Sequence, residues 1–204
     1  MSIKLRPFDL IEKELLEHSK YFSGEHDEYH AFRVRDTGLH IRQREGGDIC
    51  IVEPSCLLHD YLRPEEDEYK KTLADGVSKN IKGKIKKDYI DSHSGKNALA
   101  VLEDILKICG VEDVHIPKIL YCIEMHENYS FSVNSEKPTL KEALILQDAD
   151  RLDATGFIGI LRCAYFGGSH KQKIYLPKRE RPKTYDPKDW SNTIIEHIHE
   201  KLLK

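Results

Sequence analysis

Residues 147–154 read Gln147-Asp148-Ala149-Asp150-Arg151-Leu152-Asp153-Ala154, and they set a carboxylate in line with small and apolar positions. Ala143, Gln147, Asp150 and Ala154 recur at the three-and-four spacing of one helix face. A carboxylate turned toward a core is costly unless it is paired or coordinates a cation. Thr139, with Glu142 three residues on, offers a capping box for the start of this helix. After it, Gly156 and Gly159 are expected to interrupt the helical pattern before a further piece runs to Phe166.

The rest of the chain repeats the same period. Phe8, Ile11, Leu15 and Phe22 space an opening helix that Gly24 ends, and a second, from about Asp27 to Gly46-Gly47, carries His30, Val34 and Ile41 on one side. A third runs from Asp48 through Val52 and Cys56 to His59, with Pro64 closing it. Residues 65–90 alternate acidic and basic runs and read as an exposed excursion. A helix from about Asp91 or Ser92 buries Leu99, Leu102 and Leu106 before Gly110, and Ile116-Pro117 opens one carrying Ile119, Ile123 and His126. Residues 128–138 read as a polar loop and 167–190 as a long irregular stretch. Trp190–Lys204 reads as a closing helix. No strand pair, internal repeat or low-complexity tract emerges, so the expected class is all-α.

Four of these helices thus turn a ligand-type side chain inward: His30, His59 with Asp60 beside it, His126 and Asp150. Any one histidine on an apolar face is most simply a core residue bonded to a carbonyl, and a lone His-Asp pair is common. Together they suit convergence on one divalent ion, because imidazole and carboxylate are ordinary donors for such ions.

Composition limits the alternatives. Hydrophobic residues are 39% and charged residues 33% of 204, a globular balance for about one domain. A net charge of −3 gives no overall attraction to nucleic acid or membrane. The basic run Lys82–Lys87 reads as a solvated face. No stretch reaches the ~18 apolar residues of a membrane span, and Met1–Arg6 leads into an amphipathic pattern unlike a leader peptide. The five cysteines, Cys50, Cys56, Cys109, Cys122 and Cys163, never form C-x-x-C and read as free thiols in a reducing cytoplasm. P-loop and nucleophile-elbow motifs are missing.

The order His30…His59-Asp60…Asp150 resembles the HD-domain metal-dependent phosphohydrolases. Local stretches similar to the small single-domain branch are His26-Asp27-Glu28-Tyr29-His30 with Arg33-Val34, Leu57-Leu58-His59-Asp60, residues 147–154 and residues 156–160. Residues 196–203 also look like a late helix of that branch. The resemblance implies one HD-type helical bundle over residues 1–204, with a core from about 26 to 166 and an extension over 167–204. It also implies a further helix beyond Lys204 in relatives. His30, His59, Asp60 and Asp150 would bind one metal ion, and Asp60 would also orient the attacking water. Manganese is the first choice; iron, cobalt, nickel, zinc and magnesium also suit these donors. The substrate would be a small phosphorylated molecule such as a nucleotide.

His93 and His126 are candidates for a second metal, as in two-metal phosphodiesterases. His26 lies four residues before His30, a near miss to H-E-x-x-H with Asp27 in place of Glu, and is expected beside the chemistry, facing phosphate or supporting a ligand. Arg33, Arg151, His170 and Lys171 are the candidate phosphate contacts; Arg151 is equally suited to holding Asp148 or Asp153. Tyr61-Leu62-Arg63-Pro64 stands where some HD hydrolases have an acidic pair. That departure keeps a non-catalytic nucleotide or metal sensor in play. A di-iron oxygenase on the same helical frame is a more distant alternative.

Overall fold

The structure is a computed structural model that describes residues 6–19, 27–61, 98–128, 137–177 and 193–199. Among them are eight helices and no strand: α1 (Pro7–His18), α2 (Glu28–Glu45), α3 (Ile49–Leu58), α4 (Ala98–Ile108), α5 (Ile116–Met125), α6 (Lys141–Asp153), α7 (Gly156–Ser169) and α8 (Ile194–His197). None of them is long and apolar enough to cross a membrane.

The central element is α3. Asp48 caps it by accepting the Cys50 N–H at 2.9 Å, and every residue from Ile51 to Leu58 is buried. Pro54 sits inside this helix and removes one backbone hydrogen bond, a loss ordinarily worth about 3 kcal/mol. Burial on all sides offsets it, because α3 packs against α1, α2, α5 and α6 at once. Asp27 caps α2, its carboxylate accepting the His30 N–H at 2.7 Å. Gly46 and Gly47, with φ of +82° and +113°, make the reversal into α3 that only glycine adopts readily. Ile11 and Leu15 of α1 join Val34, Val52, Leu57, Leu106, Ile119 and Leu146 in one core, which therefore begins upstream of residue 26.

Several helix ends differ from the sequence reading. The Thr139/Glu142 capping box does not form, because the N-cap of α6 is Leu140 and the pair is one residue out of register. Tertiary partners take both side chains instead. Thr139 bonds to the Tyr121 hydroxyl at 3.1 Å, and Glu142 accepts the Asp48 N–H at 2.9 Å, tying α6 to the start of α3. Gly156, at φ +63°, does begin a new helix, but Gly159 interrupts nothing. A Cβ at Gly159 would lie 2.1 Å from the Ala154 carbonyl oxygen, so glycine lets α7 start tight against the end of α6. The helix runs on to Ser169, so the irregular stretch starts at His170. The closing helix starts at Ile194, where Thr193 and Glu196 form a full capping box. Leu99 is only half-buried, whereas Leu102 and Leu106 are fully buried. Phe22, Gly24, Pro64, the 65–90 excursion and Trp190 lie outside the described residues.

Gly38 is where α2 crosses α3 most closely; a Cβ there would stand 2.7 Å from the Cys56 Sγ. Gly38→Ala is therefore expected to lower stability by about 1–2 kcal/mol, since overpacking outweighs the gain in helix propensity. Urea unfolding checks this. In a Cys56→Ala background, which removes the clashing sulfur, the same change should cost nothing or stabilise.

Candidate metal centre

Four helix ends deliver the candidate residues to one place. His30 is in the first turn of α2. His59 and Asp60 follow directly on α3, His126 follows α5, and Asp150 is in the last turn of α6. Three helix C-termini therefore point their partial negative charge at the same spot, a field that favours a cation.

His30 Nε2 lies 3.1 Å from His59 Nε2. Asp60 Oδ2 is 3.5 Å from each of these nitrogens, and Asp150 Oδ1 is 3.4 Å from the first and 3.8 Å from the second. His126 Nε2 stands 3.8 Å from Asp60 Oδ1. His30, His59 and Asp60 form a buried group of donor atoms close enough to share one metal ion. Two donors each about 2.1 Å from a common cation and roughly at right or tetrahedral angles stand about 3.0–3.4 Å apart, close to this spacing.

The proton positions agree with that use. Each of the three imidazoles has its Nδ1 committed to an acceptor: His59 to the Cys56 carbonyl at 2.9 Å, His126 to the Ile123 carbonyl, and His30 to Asp153 Oδ2 at 2.8 Å. Nδ1 must donate in each case, so each Nε2 faces the cluster and offers a lone pair there whenever its ring is neutral. The Nε2 of His126 is buried and has no hydrogen-bond partner. Lone pairs meeting in a buried space without a proton or cation between them are unfavourable, so the donor set fits a divalent ion.

Electrostatics divide the two central histidines. Burial holds His59 down to about 4, keeping its ring neutral. Burial also opposes charge on His30, but bonds to Asp150, Asp153 and Asp60 outweigh it and raise that ring to about 10. The Asp150 carboxyl, although buried, is held well below the usual carboxylate range by His30 and His59. Burial likewise works against charge on His126, and Asp60 reverses it. The Asp150 side chain is 19% exposed while that of His30 is 1% exposed, so the cluster meets solvent on the Asp150 side.

The other candidates distribute differently. Arg33 places Nε and Nη2 on the two oxygens of Asp153, at 2.6 and 3.0 Å. Arg151 lies 3.8 Å from the exposed Asp148, its neighbour on α6, and not beside Asp153. His170 caps α7, its Nδ1 bonded to the Phe166 carbonyl at 2.9 Å, about 12 Å further along that helix than Arg162. Lys171 follows it, exposed, at φ +56°. His26 and His93 lie outside the described residues. Tyr61, at the position after His59-Asp60, is a core residue stacked on His18 and bonded through its hydroxyl to Glu14 at 2.9 Å.

Two contributors were not singled out from the sequence. Arg162 donates to Asp153 at 2.9 Å; nothing in its spacing signals this, because α7 must first fold back on α6. Gln147 donates to the carbonyls of Met125 and Asn128, at 2.8 and 3.0 Å, and so holds the end of α5 that presents His126. Its place on the Asp150 face was the available clue. A separate donor group, Asp48, Cys50 and His115, sits where α3 and α5 begin, but there Asp48 is engaged as the cap of α3 and as the partner of His115 at 3.4 Å. None of the five cysteines forms a disulfide.

No family model matches the chain. The uncharacterized protein YpgQ of Bacillus subtilis (strain 168) is 27% identical over 153 residues, which is 75% of this chain and 62% of that protein, so the match spans less than two thirds of the curated relative. Among solved structures, one from Lactobacillus plantarum superposes with a TM-score of 0.70 at 24% identity, covering 100% of this chain and 83% of that one. An HD-superfamily hydrolase from Bacillus thuringiensis gives 0.61 at 23%, covering 96% and 78%. Bacillus subtilis YpgQ in complex with ADP gives 0.59 at 23%, covering 96% and 79%. The chain therefore has the helical fold of these structures, one of which is an HD-superfamily hydrolase.

Proposed function

We propose that the chain is a metal-dependent phosphohydrolase whose cation is held by His30, His59, Asp60 and Asp150. The observation that supports this best is the pair of Nε2 atoms of His30 and His59, 3.1 Å apart, each 3.4–3.8 Å from a carboxylate oxygen of Asp60 and of Asp150. A bound divalent ion supplies hydroxide near neutral pH and offsets phosphate charge. Asp60, whose Oδ2 is 3.5 Å from the Nε2 of His30 and of His59 and whose Oδ1 is 3.8 Å from the Nε2 of His126, would have the reach to orient the attacking water and accept its proton. Asp150, at the open side, is the ligand next to which a phosphate would arrive. Manganese is our first choice of ion, with iron, cobalt, nickel, zinc and magnesium suited to the same donors.

A nucleotide is the substrate class we favour, in one domain spanning residues 1–204 and acting in the cytoplasm. The similarity to YpgQ, solved with ADP, supports a phosphorylated nucleoside as ligand, and the free thiols suit a reducing compartment. One observation favours a second reading: the partnerless Nε2 of His126 suits a two-metal phosphodiesterase, with His93 as the further ligand. Metal content per chain, one ion or two, separates them.

Phosphate and pyrophosphate release from nucleoside triphosphates, monophosphates and cyclic nucleotides, with each ion in turn, tests the activity. Asp150→Asn and His59→Ala should each lower turnover by at least about a hundredfold, the scale of losing the charge stabilisation a metal provides. Wild type inactive on every substrate, yet binding nucleotide, would favour a sensor instead.

Metal binding should also release a proton. His30 is protonated below about 10, and a cation must displace that proton to reach Nε2. Affinity therefore rises with pH and falls about tenfold per unit as pH drops from about 8 to 7, where one proton competes. Calorimetric titration in buffers of different ionisation enthalpy should count about one proton per ion.

A further inference from the structure

We propose that Asp153 is the positioning residue of this centre, fixing the His30 ring through Nδ1, and that Arg33 and Arg162 act on Asp153 and not on phosphate. The proposal rests on the reading of the cluster as a cation site.

The three imidazoles solve one problem in two ways. His59 and His126 each follow the last turn of a helix, where the carbonyl three residues back accepts Nδ1–H: Cys56 for one and Ile123 for the other. His30 sits in the first turn of α2, and its ring takes its acceptor from another helix: Asp153 comes from the end of α6 to supply one at 2.8 Å.

The side chain of Asp153 is 6% exposed, so its charge needs compensation. Arg33 supplies a two-bond fork from the same side of α2 as His30, and Arg162 reaches back from α7 at 2.9 Å. A carboxylate clasped by two guanidiniums only accepts, so it holds His30 in the tautomer whose Nε2 faces the cluster. Three helices are joined at this one group.

Cobalt(II) titration of the full chain, followed by its visible spectrum, tests this, with circular dichroism as the check on folding. Asp153→Ala should weaken cobalt binding by about 10- to 100-fold. Asp153→Asn should recover part of the loss, because its amide oxygen still accepts from Nδ1. Arg162→Met and Arg33→Met should each weaken cobalt binding in the wild-type background and add nothing in Asp153→Ala. If Asp153→Ala does not fold, Asp153→Asn and the arginine variants decide. Folded Asp153 variants with wild-type affinity and spectrum overturn the proposal, even if they melt earlier. Arginine variants that change nucleotide KM alone overturn the part concerning the clamp. A wild-type chain that binds no cobalt removes the cation site itself, a failure distinct from the other two.

Discussion

At the centre of the molecule two imidazole nitrogens, His30 Nε2 and His59 Nε2, face each other across 3.1 Å, with carboxylates on either side. Groups so polar are kept out of a hydrocarbon core unless something holds them, and in this chain the holding is distributed. Backbone carbonyls at two helix ends orient two of the rings, and a buried carboxylate orients a third. Helix C-termini supply a field that a positive charge satisfies. Without a cation, the extra proton on His30 fills part of that need. The fold is arranged around this balance of charge.

Such a balance demands that the helices carrying it stay in register. Burial of α3 on every face provides this, because its last turn delivers both His59 and Asp60. Gly38 leaves room for the Cys56 sulfur where α2 meets α3, and Gln147 ties α5 to α6 so that His126 and Asp150 share one frame. A leucine in place of Gln147 would pack as well, but it would leave the carbonyls of Met125 and Asn128 without their donor. Polar bonds here specify geometry, while apolar burial supplies most of the stability.

The superposed structures share this helical frame at 23–24% identity. The residue after His59-Asp60, Tyr61, is committed to packing against α1.

The all-α class, most helix boundaries and the inward set His30, His59, Asp60, His126 and Asp150 were legible in the residues, because helical period shows directly which side chains share a face with the core. The resemblance to HD hydrolases narrowed that set to four ligands. Local signals failed where a tertiary partner competed. Thr139 and Glu142 spell a capping box, yet Tyr121 and Asp48 hold them. Gly159 looks like a breaker, yet it sits inside α7 because Ala154 leaves no room for a Cβ. Arg33 reads from its position as a phosphate contact, and the fold adds a partner that spacing does not show, Asp153, at 2.6 and 3.0 Å. Spacing along one helix says which way a side chain points. It cannot say which side chain of another helix it will meet, since that follows from the angle and depth at which the helices pack, and those are decided only when the whole core forms.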